Sequence, residues 1–283
     1  MAVESAARDG ASDLLIIEPS SPWRSVDLAE VWRYRELLFF FVWRDVKVRY
    51  KQTTLGILWA VVQPFLSMVV FAFVFGRVAQ LPSDGMPYAL FAYCGLLPWT
   101  FFANAVSSGS LSLVSSSHLL SKVYFPRILV PLSAVATGVV DFAIAVVMLI
   151  PLFALYRVVP SPLALFWMPV AALVSLLLAF GLSVWLSALV AKYRDLRHAI
   201  PFLVQLWMFA TPIVYPLSMI PSKWRWLVAL NPMTGVVEVF RRSVFARPID
   251  VMPLVWSALL ACALIASGSI YFRRTERMVA DVL

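Results

Sequence analysis

The sequence predicts an all-α membrane protein that crosses the bilayer six times, and three features of the chain carry that expectation. Hydrophobic residues make up 62% of its 283 residues and charged ones only 13%, with a mean hydropathy of +0.87. A soluble domain sits nearer half apolar and a quarter charged. The apolar residues gather in runs of about 20 or more, the length that crosses roughly 30 Å of hydrocarbon. Those runs show no period-2 alternation, so they satisfy their backbone polar groups as helices and not as barrel strands.

In chain order, residues 1–27 read as a disordered cytosolic tail. Glu4, Asp9, Asp13 and Glu18 surround its one short apolar run, Leu14 to Ile17, which is too short and too acidic in context for a secretory leader. A transmembrane domain occupies 28–275. It begins with a helix over 28–51, on which Phe39, Val42, Trp43, Val46 and Tyr50 share one stripe and Arg44, Lys47 and Lys51 an adjacent polar face. That pattern belongs to a helix lying in the membrane interface, either as an anchor or as a collar touching a cytosolic partner, before the chain turns inward at Gly56. Spans are expected at about 55–77, 88–110, 128–155, 163–190, 199–217 and 251–272. Residues 276–283 form a cytosolic tail.

Lys and Arg in short flanks set the orientation. Arg33, Arg35, Arg44, Lys47, Arg49 and Lys51 fall on one side, as do Lys122, Arg127, Lys192, Arg194, Arg197, Arg273, Arg274 and Arg277. The first two loops of the other side hold only Arg77 and Arg157, so both termini are placed in the cytosol. The third such loop, 218–250, is more basic, but mostly away from the span ends, where the rule weakens. The net charge of +8 is therefore a topology signal spread over many loops, which argues against nucleic acid as a partner. Cys94 and Cys262 both lie in apolar runs and imply no pairing.

Three loops say more. In 107–127, Leu111, Val114, His118 and Leu119 make a short amphipathic helix that Pro126 stops. An apolar stripe on a cytosolic loop favours a docking helix over a plain connector. Residues 191–201 are short and mixed in charge, as in a stop-transfer flank. Within 218–250, Trp224 to Leu230 is apolar but too short to span, and Asn231-Pro232 supplies an N-cap with proline at the first helical position. Glu238 and Arg242 pair four residues apart on the helix that follows. Two short helices here predict a re-entrant hairpin packed against protein or a water-filled cavity, guarding an exit.

The run from Arg44 through Asp45, Val46, Lys47, Val48, Arg49, Tyr50 and Lys51 to Gly56, followed by Trp59-Ala60 and Pro64, resembles the start of the permease subunits of ABC-2 type polysaccharide exporters. Lys122 to Arg127, Tyr193 to Leu196, and Asn231-Pro232 with Arg241 downstream resemble that family too, in the expected order over about 28–275. The resemblance implies a homodimer of this chain with two cytosolic ABC ATPase subunits in a bacterial inner membrane. It implies a lipid-linked polysaccharide such as O-antigen, capsule or teichoic acid as substrate. ATP and Mg would sit on the partner, since the chain has no Gly-x-x-x-x-Gly-Lys-Ser/Thr loop.

Enzyme chemistry has little to stand on. His118 and His198 are the only histidines, with no metal-ligand spacing and no paired carboxylates, so neither a catalytic set nor a metal site is expected. Asp141 is the one acid expected in mid-span, either as a hydrogen-bonded structural group or in gating or proton traffic. A sugar path should mix aromatic faces with uncharged polar groups. Trp59, Gln63 and Ser67 in the first span and Gln205, Met208, Thr211 and Tyr215 in the fifth offer that mixture. Trp43, Lys47, Leu119, Lys122, Phe125 and Arg127 are the candidates for ATPase coupling, and Trp224, Asn231, Pro232, Glu238 and Arg241 for the outer gate. The alternatives are an ABC-2 permease for lipids or drugs, a proton-coupled carrier using Asp141, and a membrane-bound glycosyl- or acyltransferase scaffold. A carrier would show repeats between halves and several intramembrane charges, and the sequence has neither.

Overall fold

A computed structural model of the chain describes residues 28–51, 56–120, 122 and 125–282; the expected tail at 1–27 lies outside them. Helices α1 (Leu28–Arg33) and α2 (Arg35–Lys51) precede α3 (Trp59–Phe71), which widens into a π-turn over Ala72–Val78. Next come α4 (Tyr88–Ser115), the four-residue α5 (Ser117–Leu120), and α6 (Leu129–Val147) with its continuation α7 (Leu149–Tyr156). The chain closes with α8 (Ala164–Lys192), α9 (Leu196–Ala210), α10 (Ser222–Ala229), α11 (Pro232–Val244) and α12 (Met252–Val282). The described residues contain no strand.

Five stretches are long and apolar enough to cross a membrane: Trp59–Val78, Tyr88–Ser115, Leu129–Tyr156, Ala164–Lys192 and Met252–Thr275. They occupy the first, second, third, fourth and sixth of the expected spans. The fifth, expected at 199–217, contains the 15-residue α9 followed by extended backbone from Thr211. About 22 Å of helix at 1.5 Å per residue does not cross 30 Å of hydrocarbon alone. The chain nevertheless passes from one end of the bundle to the other here, because Leu196 follows the end of α8 while the carbonyl of Val214 accepts from Tyr88 Oη (2.6 Å) at the start of α4.

α4 is the central helix, with 83% of its most apolar stretch buried against 11% for α3. It packs along α8, which in turn packs along α12, while α6 and α3 close one flank and α9 and α11 the other. The bundle has two distinct ends. At one, Phe41 of α2 joins Phe125, Leu129, Val184, Ala188 and Phe272 in a buried cluster, which brings together α2, residues 125–128 and the start of α6 with α8 and α12. At the other, Arg247 Nη2 donates to the carbonyl of Asp84 (2.8 Å), Ser218 Oγ donates to Asp84 Oδ1 (2.7 Å) and Ser161 N donates to the carbonyl of Val244 (3.0 Å). The loops therefore alternate between ends in the order that the basic flanks require.

One expectation changes and another gains a second face. The 107–127 segment is no separate amphipathic loop: α4 continues through Ser115, and only Ser117–Leu120 forms a short helix of its own. Hydropathy fades at Ser107, but the helix persists because Ser110, Ser112 and Ser115 turn their hydroxyls back onto the carbonyls three residues before (2.8, 2.6 and 3.0 Å). The stripe expected on α2 turns outward at Phe39 and Trp43, and a second, inward contact that the periodicity does not show holds the helix to the bundle. Phe39 and Trp43 are 71% and 57% exposed, and the helix docks onto the bundle through Phe41, with Tyr34, Leu37 and Leu38 beside it. The outward stripe suits a membrane interface and the inward one a protein core.

Candidate functional site

α4 spans 28 residues, about 42 Å, some 12 Å more than a hydrocarbon core. α3 with its π-turn spans 20, about one bilayer's worth. The first turn of α3 faces Thr100 to Ser108 of α4 and Asp141 to Ala145 of α6 across a cavity.

Arg49 forms an ion pair with one carboxylate oxygen of Asp141 and Tyr50 Oη donates to the other. The acid lies near the middle of the Leu129–Tyr156 stretch, as expected, and through it the end of α2 grips α6. Burial raises the Tyr50 phenol above its ordinary value, and its hydrogen bond to Asp141 raises it further.

Two cavities of about 300 and 320 Å³ flank this bridge. Beneath α2, one is walled by Arg44, Asp45, Ser108, Ser112, Ser133 and Thr137, among others. Beneath the start of α3, the second is walled by Trp59, Gln63, Thr100, Phe101, Asn104 and Ser107, with Asp141 and Phe142. Arg49 and Ser108 belong to both walls. Arg44 pairs with its neighbour Asp45 (2.8 Å) and Arg49 with Asp141, so the arginines of this seam are locally neutralised. What remains is a surface of hydroxyls, carboxamides and ring faces, chemistry suited to an uncharged, hydroxyl-bearing chain.

The two predicted path stripes fare differently. Trp59 and Gln63 face the second cavity, whereas Ser67 Oγ donates to its own helix at the carbonyl of Gln63 (3.0 Å). Gln205 is exposed on α9, Met208 and Tyr215 are half-buried, and Thr211 is fully buried. α3 packs on α4 and α6, and α9 on α4 and α8, so one protomer does not bring the stripes together. The partner of the α3 stripe inside the chain is instead the α4 row Thr100, Asn104 and Ser108. Its spacing of four is readable in the sequence, although Ser108 falls where the expected span 88–110 and loop 107–127 overlap.

Among the coupling candidates, Trp43, Lys47 and Lys122 are exposed and Leu119 and Arg127 half-buried. Phe125 is a correction. It is 4% exposed and packs edge-to-face on Phe41 (5.3 Å between centroids), so it anchors α2 and cannot touch a partner. A lone aromatic in a loop gave no sign that α2 would cover it.

At the opposite end Asn231 caps α11, accepting from Met233 N (3.0 Å), with Pro232 in the first turn as expected. Its side chain also accepts from Trp207 Nε1 (3.0 Å) and donates to Thr211 Oγ1 (2.9 Å) and the carbonyl of Ala210 (3.2 Å). One amide thereby ties the end of α9 to the start of α11. Glu238 pairs with Arg242 (2.9 Å) as predicted, and also with Arg241 (3.1 Å). Arg241 is 1% exposed. It donates to the carbonyls of Phe91 (3.3 Å), Pro212 (3.2 Å) and Ile213 (2.8 Å), with its guanidinium carbon 3.6 Å from the Phe91 ring centroid. Gly95 makes room for it, since a Cβ there would collide with the guanidinium. Trp224, by contrast, is half exposed on α10 beside Lys223.

The chain matches the family model described as ABC-2 type transporter over residues 36–245. It is 33% identical over 258 residues to an O-antigen export system permease protein RfbA of Myxococcus xanthus, covering 89% of this chain and 98% of that one. A Klebsiella pneumoniae protein of the same name is 31% identical over 208 residues (73% and 79%). The polysialic acid transport protein KpsM of Escherichia coli is 22% identical over 249 residues (84% and 93%). A bundle of apolar helices in alternating orientation, gripped at one end by an interfacial helix and matched over most of its length by that family, identifies the chain as a multi-pass membrane protein of the ABC-2 type transporter family.

Proposed function

We propose that this chain is the permease subunit of an ATP-driven exporter that moves a lipid-linked polysaccharide, O-antigen-like in kind, from the cytosol across a bacterial inner membrane. The observation that carries the reading is the near full-length match to a relative named for O-antigen export, 33% identical over 98% of its length. ABC-2 permeases normally work with an ATPase partner. Here two permease copies would join two cytosolic ATPase subunits that carry ATP and Mg. The α2 end faces the cytosol because Lys47, Lys51, Lys122, Lys192 and Arg194 belong to it, which also puts both termini there. Exposed Trp43, Lys47 and Lys122, with Leu119 and Arg127 beside them, are the surface offered to the ATPase. The α9 face bearing Phe202, Gln205, Leu206 and Phe209 is exposed in the single chain and is offered to a second copy. The 218–250 segment is the outer gate, re-entrant at α11.

A proton carrier is the weaker alternative, because Asp141 already holds an arginine and a tyrosine. A permease for free lipids or drugs lacks support from the polar character of the seam. The test is a deletion strain complemented with this gene, read by surface polysaccharide, together with affinity purification of the chain from membranes. Restored polysaccharide and an ATPase recovered in equal number are expected. Unchanged polysaccharide on deletion would refute the reading.

A further inference from the structure

Residues 216–230 form a flap on the outer end of the bundle, and its two edges are held very differently. The far edge runs into α11, which is fixed in place. Eleven of its 13 residues are buried, and Gly235 lies so close to the backbone of Pro253 that a Cβ would collide with it. Arg241 ties α11 to α4, and Asn231 ties its start to α9. The joint between flap and α11 is held by Thr234 Oγ1, which donates to the carbonyl of Val228 (2.8 Å), and by Trp256 Nε1, which donates to that of Leu230 (3.1 Å). α10 itself has no buried residue, and Trp226 is 61% exposed. Arg225 donates to the carbonyls of Ile220 (2.9 Å) and Ser218 (3.5 Å), so it stiffens the flap without tying it down. Over residues 216–227 one hydrogen bond reaches a residue outside the flap, among the described residues: Ser218 Oγ donates to Asp84 Oδ1 (2.7 Å).

The loop that receives this bond, between α3 and α4, is built to stay put. Asp84 and Gly85 take left-handed backbone (φ 53° and 78°), a conformation that aspartate and glycine tolerate better than most residues. Ser83 Oγ donates to the carbonyl of Met86 (2.5 Å) and Met86 N to that of Ser83 (3.0 Å), which closes the turn around them. Tyr88 Oη fastens the end of the loop to the carbonyl of Val214 (2.6 Å), just before the flap begins. The carbonyl of Asp84 meanwhile accepts from Arg247 Nη2 (2.8 Å), on the segment that leaves α11. That segment is itself tied down, since Arg242 pairs with Glu238 (2.9 Å) and donates to the carbonyl of Pro248 (3.1 Å). Asp84 therefore stands at the neck of 218–247, with its main-chain oxygen on the fixed exit and its carboxylate on the free entry.

We infer that Asp84 is the catch of the outer gate: α10 and the turn before it swing about the joint at 228–231, and Ser218 leaves the Asp84 carboxylate when the gate opens and returns to it when the gate closes. This rests on the reading of 218–250 as the outer gate, and adds which part of it moves and what holds that part shut. A single hydrogen bond between exposed groups is weak enough to break in every cycle, because water replaces the lost partner on both sides. The buried contacts of α11 are not, so α11 stays with the bundle while α10 moves. Asp84 acts through Ser218 and is a positioning residue.

The test uses the full permease in intact cells of the complemented deletion strain, with Cys262→Ser as background; Cys94 is fully buried and stays. Asp84→Cys is paired with Ser218→Cys across the catch and, separately, with Arg247→Cys across the fixed side of the neck. Ser83→Cys with Ser218→Cys is a parallel catch pair that keeps the Asp84 carboxylate. These positions are exposed or half-buried, so each pair should restore surface polysaccharide before any reagent is added. Failure of both catch pairs at this stage would make the neck a structural support and overturn the catch. A short, reducible bis-methanethiosulfonate is then applied, and newly exported polysaccharide is followed with a pulse of labelled sugar. Bridging the catch should lower export at least in proportion to the fraction of chains cross-linked, and a reductant should restore it. The Arg247 pair, bridged to the same extent, should export at the unbridged rate. Undiminished export with the catch bridged, or equal loss from the catch and Arg247 pairs, would overturn the proposal. If export still depends on this gene in that case, the functional reading survives and the catch alone falls.

Discussion

Arg241 shows how much one side chain holds in place. It binds three carbonyls from two segments and a carboxylate, with no exposed face. Arg241→Met would strand those carbonyls and leave Glu238 with Arg242 alone, a loss on the order of 3–5 kcal/mol for a broken buried pair. Arg241→Lys keeps the charge but not the planar fork, and should cost less, about 1–3 kcal/mol. Thermal melting of the purified protein in detergent should rank wild type, Lys and Met in that order; equal melting for Met would remove Arg241 as a staple. Asp141 is the opposite case. The pair with Arg49 is partly exposed, 42% on the arginine side and 24% on the aspartate, so Asp141→Asn should change stability by less than about 1 kcal/mol. The variant should insert normally and retain substantial export, whereas a proton carrier would lose coupled transport. Tyr50 sets the sign of any pH effect at this bridge. Its folded pKa is raised above the ordinary 10.0, so its contribution is complete below that value and is lost only as pH climbs past it. Melting temperature between pH 6 and 8 should therefore show no step that Tyr50→Phe abolishes.

Among the elements, α2 carries the clearest prediction because its two faces do different things. Phe41 and Phe125 are buried against each other, so truncating either to alanine should cost about 3–5 kcal/mol. The double variant should cost less than the sum by about 0.5–1.5 kcal/mol, the usual worth of an edge-to-face pair. Trp43→Ala, on the exposed face, should leave melting within about 0.5 kcal/mol of wild type. A fall in export at unchanged melting would place Trp43 at a surface that works by contact. The same helix shows where sequence reading reaches its limit. Periodicity located an amphipathic helix over 28–51, but α2 has apolar residues all round, and a stripe alone does not say which side meets protein. The apolar runs place the starts of α3, α4, the α6–α7 pair, α8 and α12 within a few residues, because burial in lipid is a property of composition and length, while α4 and α12 run on past the apolar stretch to Ser115 and Val282. α9 and the serine end of α4 were harder. The end of α9 is set by a partner distant in sequence, Asn231, whereas the serines at the end of α4 satisfy their hydroxyls locally on carbonyls three residues before, which hydropathy does not register. The polar seam followed the same logic: its residues come from four helices, and only the row on α3 announced itself.

For the whole molecule, the missing nucleotide loop makes a plain prediction. The purified chain in nanodiscs should hydrolyse no ATP above a mock preparation, and turnover should appear only with the co-purifying ATPase; sustained activity of the isolated chain would break the division of labour. The stapled junction between α9 and α11 has a consequence for how the protein is made. As α9 leaves the ribosome it is too short to settle across the bilayer by itself, and its locking partners Asn231 and Arg241 have not yet been synthesised. Trp207 can already pack on Trp99 and Phe102 of α4, but the end of α9 stays unlocked until α11 slots its arginine beside Gly95 on that same helix. Biogenesis of this chain is thus not a simple N-to-C threading of hairpins. The docking of α11 closes back on an early helix, and a chain arrested before it would leave Arg241 without the carbonyls of Phe91, Pro212 and Ile213 that satisfy it.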